Sequence, residues 1–80
     1  MSIREAIIKR LKEICAERNI KYNKLATLSG VTPSTVYAVM DETRVELSVI
    51  TMKKLIDGLD MSVTEFFDTD VFRNLEQETK

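Results

Sequence analysis

Ala26 and Gly30, four positions apart, lie between two short helically patterned stretches in Tyr22-Asn-Lys-Leu-Ala-Thr-Leu-Ser-Gly-Val-Thr-Pro-Ser-Thr-Val-Tyr-Ala-Val-Met40. No other feature constrains the fold of this chain as strongly. Two short helices that cross steeply need a small side chain at their closest approach. Ala26 supplies it, and a larger residue would overpack the crossing. The turn between them needs a residue with positive φ just past the first helix, which Gly30 adopts without steric penalty. The second helix must then bury a stripe against the first. Val31, Val36 and Val39 lie at offsets of +1, +6 and +9 from Gly30, and Leu25 faces the same core. Each residue alone is ordinary: alanine favours helices, glycine stops them and valine fills cores. The joint spacing carries the argument.

Helical periodicity dominates the rest of the chain, and strand-like alternation is absent. A first helix is expected from about Ser2 to Arg18, with Ser2 and Glu5 forming a capping box and Ile3, Ile7, Leu11, Ile14 and Cys15 on one stripe. Asn19 is a left-handed stop. The second helix covers about Asn23 to Ser29, with Leu25, Ala26 and Leu28 inward. The third follows Thr32 as N-cap and Pro33 as first helical residue, and runs to about Asp41. A polar loop extends from Asp41 to Leu47. Ser48 caps a fourth helix with Val49, Met52, Leu55, Ile56 and Leu59 inward, and Ser62 caps a short fifth with Val63, Phe66 and Phe67 inward. The expected architecture is all-α, with five helices and a helix-turn-helix formed by the second and third. Residues 1–67 form the domain. Residues 68–80 form a polar tail whose Val71, Phe72 and Leu75 suit a helical turn or a contact with another subunit, and the fifth helix and this tail, especially Phe67, Val71, Phe72 and Leu75, are the expected dimer surface.

Composition narrows the chemistry. Eighty residues make one domain, and at this size pairing with a second copy helps stability. No apolar run approaches the ~20 residues of a membrane span. The N-terminal pattern is interrupted by charges throughout, unlike a secretory signal, so a cytoplasmic location is expected. With one cysteine, Cys15, and no histidine, there is no internal disulfide and no usual zinc, haem or nucleophile–base set. No cofactor, metal or catalytic residue is expected, and a lone Gly30 makes no phosphate loop. The net charge of −1 is unevenly spread: residues 1–54 hold ten basic and six acidic residues, and residues 55–80 hold two and seven. Such asymmetry gives one surface a positive field on a slightly acidic molecule.

Across residues 3–67, including the closing segment Leu55-Ile-Asp-Gly-Leu-Asp-Met-Ser-Val-Thr-Glu-Phe-Phe67, the sequence resembles the phage-repressor and Cro-type (XRE family) helix-turn-helix regulators. The resemblance implies a lambda-repressor-like domain, usually dimeric, that binds double-stranded operator DNA. It makes the third helix the recognition helix, with Thr32, Pro33, Ser34, Thr35, Tyr37 and Ala38 as base-contact candidates; Asp41 shares their exposed face. Ser34 and Thr35 offer hydroxyls, and Pro33 and Ala38 offer carbon to a thymine methyl. Tyr22, Asn23, Lys24 and Arg44 are the phosphate-contact candidates, the first three at a helix N-terminus.

There are departures from the family. Many members have Gln where this chain has Tyr22. The recognition face carries no Arg, Lys, Asn or Gln for a bidentate base contact, so DNA shape gains weight in recognition. Asp41 and Glu42 oppose phosphate near the expected path. Many members bury an Arg of the first helix against a Glu near the end of the third. The matching positions are Cys15 and Met40, an apolar pair expected to touch in the core. The alternative to a DNA-binding repressor is a protein-interaction or antitoxin-like module, favoured by the low net charge and the cation-free face.

Overall fold

A computed structural model describes residues 1–44 and 46–77. The chain forms α1 (Ile3–Arg18), α2 (Tyr22–Ser29), α3 (Pro33–Val39), α4 (Val49–Gly58), α5 (Val63–Phe67) and α6 (Asp70–Arg73). The five expected helices are present, and the tail adds the single turn of α6. The helix starts follow from hydroxyl caps. Ser2, Thr32, Ser48 and Ser62 each accept from the backbone N–H three residues on, and Glu5 and Glu65 reach back to the N–H groups of Ser2 and Ser62. Those reciprocal bonds hold both carboxyls below the usual carboxylate range.

Three helices stop in the same way. Asn19, Gly30 and Asp60 take left-handed φ values of 54°, 68° and 55°. The following N–H of Ile20, Val31 and Met61 then donates to the carbonyl five residues back. This pattern satisfies carbonyls that a helix end leaves free. It fulfils the expectation for Asn19 and Gly30, and adds Asp60. α3 ends two residues earlier than expected, at Val39: Met40 still donates to Val36, but the Asp41 N–H turns to Ala38, only three residues back.

α2 lies at the centre and packs on both α3 and α4. Leu25, Ala26, Val36, Leu55 and Phe66 are fully buried, joined in one core by Ile7, Leu11, Ile14 and Cys15 of α1. Cys15 is buried in that core, and Met40 is half-buried against it. Phe66, Phe67 and Phe72 form an aromatic cluster with centroids 4.8–6.1 Å apart, which fastens the tail to the domain. Among the described residues, no helix is long and apolar enough to cross a membrane.

Four residues expected inward lie outside. Ile3, Val49 and Val63 are 38%, 83% and 46% exposed. Each is the first residue of its helix, right after a cap. Helical Cβ atoms tilt towards the N-terminus, so these side chains lean past the helix start, beyond the packed core. Leu28, 46% exposed, sits roughly 100° around α2 from the centre of its buried stripe.

The α2–α4 contact depends on small residues. A Cβ added to Gly58 would lie 2.1 Å from Ser29 Oγ and 3.0 Å from Ser29 Cα. Backbone cannot yield as a flexible side chain can, so the two helices would have to separate. Gly58→Ala is expected to lower the unfolding free energy by about 2 kcal/mol through overpacking, although alanine favours helices. Gly30→Ala meets no neighbour and costs about 1 kcal/mol through its left-handed φ. Urea denaturation of both variants checks the order, which reverses if helix propensity governs position 58.

Candidate nucleic-acid interface

α3 has only seven residues, too few to hold a helix alone. Its start is held by a local network. Thr32 Oγ1 accepts from the Thr35 N–H at 3.3 Å and lies 3.0 Å from Ser34 Oγ and 2.9 Å from Thr35 Oγ1. Its far end is held by Arg4, a residue to which sequence pattern gives no role. The Arg4 side chain is buried, with 6% exposure. Its guanidinium donates to four carbonyls: Ala38 at 2.8 Å, Val39 at 3.1 Å, Asp41 at 3.2 Å and Glu46 at 2.8 Å. The C-terminal carbonyls of a helix carry partial negative charge, so a cation here both satisfies and attracts them.

The apolar Cys15 and Met40 are compatible with this contact. A cation on α1 still holds the end of α3, but from Arg4 and through carbonyls rather than a carboxylate. Two signals point to it in retrospect. Arg4 stands three and four residues before Ile7 and Ile8, on the buried stripe of α1. No glycine or asparagine follows α3 to stop it.

The base-contact candidates divide into two groups. Thr32, Pro33, Ser34 and Tyr37 are exposed, whereas Thr35 and Ala38 are half-buried. Thr35, Ala38 and the half-buried Asp41 thus depart from the fully exposed face that the resemblance implies. Thr35 and Ala38 line a shallow cleft with Arg4, Ser48 and Thr51, because that edge of α3 turns towards the loop and α4. Tyr37 is 55% exposed, and its ring meets Tyr22 edge-on at 5.5 Å and 75°.

Tyr22 is half-buried against the core, and burial pushes its phenol above the usual value, so it stays a neutral donor. Asn23 and Lys24 are exposed beside it. They open α2, which unlike α1, α3, α4 and α5 has no side-chain cap. Its first N–H groups therefore remain available to an outside acceptor.

Arg44 lies in the loop after α3, with its side chain 62% exposed and its Nε 3.5 Å from Asp41 Oδ2. The Asp41 carboxylate also accepts the Thr43 hydroxyl at 2.6 Å and the Thr43 N–H at 2.9 Å. Those bonds, the hydroxyl first, hold it below the usual carboxylate range. Lys12 stands 3.8 Å from Glu42. Both acidic residues that oppose phosphate thus have cationic neighbours. The motif residues Leu25, Ala26, Val36 and Val39 are buried, Val31 is half-buried, and Gly30 has the expected turn conformation.

Removing Arg4 would leave the Val39 and Glu46 carbonyls without their guanidinium donor, while Ala38 and Asp41 would keep only the N–H groups of Asp41 and Arg44. Arg4→Met is expected to lower the unfolding free energy by about 3 kcal/mol. Arg4→Lys should recover less than half of that, since an ammonium cannot span carbonyls arranged around a planar fork. Chemical denaturation measures both, and a neutral Arg4→Met would show that the guanidinium does not hold α3.

Residues 10–70 match the family model of the Cro/C1-type HTH DNA-binding domain. A solved structure described as the crystal structure of the prophage Lp1 protein 11 superposes with a TM-score of 0.79 at 29% identity, covering 94% of this chain and 100% of that one. No curated protein matches the sequence significantly. With its central pair of helices built as that motif requires, the chain belongs to the Cro/C1-type helix-turn-helix DNA-binding family.

Proposed function

We propose that this protein is a small regulator that binds specific double-stranded DNA sequences as a homodimer, with α3 in the major groove. The observation that carries this reading is an exposed α3 held at both ends, beside an α2 whose N-terminus has no cap. The exposed face of α3 then meets base edges. The start of α2, with Tyr22, Asn23 and Lys24, meets a phosphate, and Arg44 meets another. A domain seated in the groove excludes other proteins from the same site, which makes repression the simplest outcome. It acts in the cytoplasm, by binding and not by catalysis.

The surface we assign to pairing differs from the tail. Phe67 and Phe72 pack within the monomer. Ile3, Val49 and Val63 instead surround an apolar groove of ≈ 520 Å³ whose walls include Met52, Ile56 and Phe67. Val49 and Ile50 project beside it, 83% and 70% exposed. A surface carrying both a projection and a recess suits a two-fold interface, where each copy fills the other. Val49→Glu with Ile50→Glu should leave the monomer folded, because both side chains are exposed and acids suit a helix N-terminus. Sedimentation is expected to show this variant as a monomer with weakened DNA binding. An unchanged dimer would move the interface elsewhere.

The same groove favours a second reading, an antitoxin-like protein-interaction module. Selection from random duplex DNA separates the two readings, since the second predicts no enriched sequence. On the first, affinity falls steeply with salt, because each neutralised phosphate releases counterions. Fluorescence anisotropy titrations at several salt concentrations should show Lys24→Ala and Arg44→Ala each reducing the slope of log Kd against log salt by about 1. Affinity indifferent to salt would overturn the DNA-binding reading.

A further inference from the structure

The reading face of α3 is mostly carbon. Its aliphatic hydroxyls are engaged with one another: Ser34 Oγ and Thr35 Oγ1 each bond to Thr32 Oγ1, which also caps the helix. Their protons are shared within this network, although each oxygen keeps acceptor capacity. The remaining surface is the Pro33 ring, the Tyr37 ring with its phenol hydroxyl at the tip, and the half-buried Ala38 methyl. Within Pro33–Val39, no Arg, Lys, Asn, Gln, Asp or Glu is present. Guanine, adenine and cytosine each present polar atoms to the major groove, and a side chain reads them with matching donors and acceptors. Thymine alone adds an apolar feature, its 5-methyl group.

We propose that α3 selects its DNA site by packing the rings of Tyr37 and Pro33 against thymine 5-methyl groups. This rests on the DNA-binding reading above. Tyr37 suits the role because it is exposed yet not free. The edge contact with the half-buried Tyr22 fixes its ring against the body of the domain. A steadied ring loses little freedom on binding and gives the methyl a flat apolar partner. The engaged hydroxyl network adds a second bias, since a base acceptor that asks for one of its protons competes with a bond already made. The preferred site is therefore rich in thymines at the positions under α3, on whichever strand presents the methyl to the helix.

The test changes the DNA and leaves the protein intact. The full chain is used to select sites from random duplex DNA, and the best site is resynthesised with each thymine replaced singly by deoxyuridine. That exchange removes one methyl group and leaves the base pairing unchanged. At fixed salt, at least one replacement per half-site is expected to weaken binding about fourfold, while thymines outside the bound site show no effect. Tyr37→Ala should abolish the sensitivity at one of those positions, and Tyr37→Phe should retain it. If every deoxyuridine duplex binds within twofold of the parent, methyl reading is wrong while specific DNA binding stands. If the deoxyuridine effects persist in Tyr37→Ala, the assignment to Tyr37 is wrong. If no sequence is enriched, the DNA-binding reading fails and takes this inference with it.

Discussion

The Arg4 guanidinium, buried among four carbonyl oxygens, three of them at the end of α3 and the fourth in the loop beyond it, is the contact on which the rest of the interface depends. A cation shielded from water must be met by negative charge or by several dipoles. Here the unsatisfied end of a helix supplies the dipoles. In turn, a seven-residue helix with no left-handed stop gains a defined end and a fixed angle to α1. Arg4 donates both to α3 and, through Glu46, to the loop that leads into α4. One side chain thereby fixes the recognition helix, the loop bearing Arg44 and the approach to the next helix.

α1 repeats this device twice more. Arg10 donates to the carbonyls of Phe66 at 2.9 Å and Glu65 at 3.2 Å, with its guanidinium 5.8 Å from the Phe66 ring centroid. Arg18 donates to the Leu59 carbonyl. Three arginines of one helix therefore close the ends of α3, α5 and α4. In a domain with a core this small, such bonds do what a larger apolar interior does elsewhere: they fix the relative placement of short helices that packing alone leaves loose. The apolar Cys15 and Met40 are compatible with this arrangement, because the charged fastening lies elsewhere on α1.

The division of labour at the surface follows from charge. Cations lie at the start of α2 and in the loop after α3, while the exposed face of α3 has none. Asp41 and Glu42, which read in isolation would repel a phosphate, have Arg44 and Lys12 as neighbours and are partly neutralised. The weak net charge of the chain is therefore a poor guide to the field near α3. Among the described acidic residues of the last third, Glu65 and Asp70 lie on α5 and α6, and Asp60 and Asp68 in the turns beside them.

Local chemistry made much of the fold legible. Hydroxyl caps at Ser2, Thr32, Ser48 and Ser62, the stop at Asn19 and the Ala26–Gly30 spacing each act within a few residues, so the chain itself determined where helices begin, where most of them end and which two cross in the motif. Burial at the helix starts was not legible: periodicity assigns Ile3, Val49 and Val63 to a stripe, yet whether a neighbour covers a first-turn side chain depends on elements distant in sequence. The same holds for Thr35 and Ala38 at the edge of the recognition face. Only the tertiary structure decided that Arg4 closes α3, that Gly58 must admit Ser29 and that Tyr22 steadies Tyr37. These contacts join residues separated by 15 to 37 positions, and sequence pattern has no term for a distance that only packing creates.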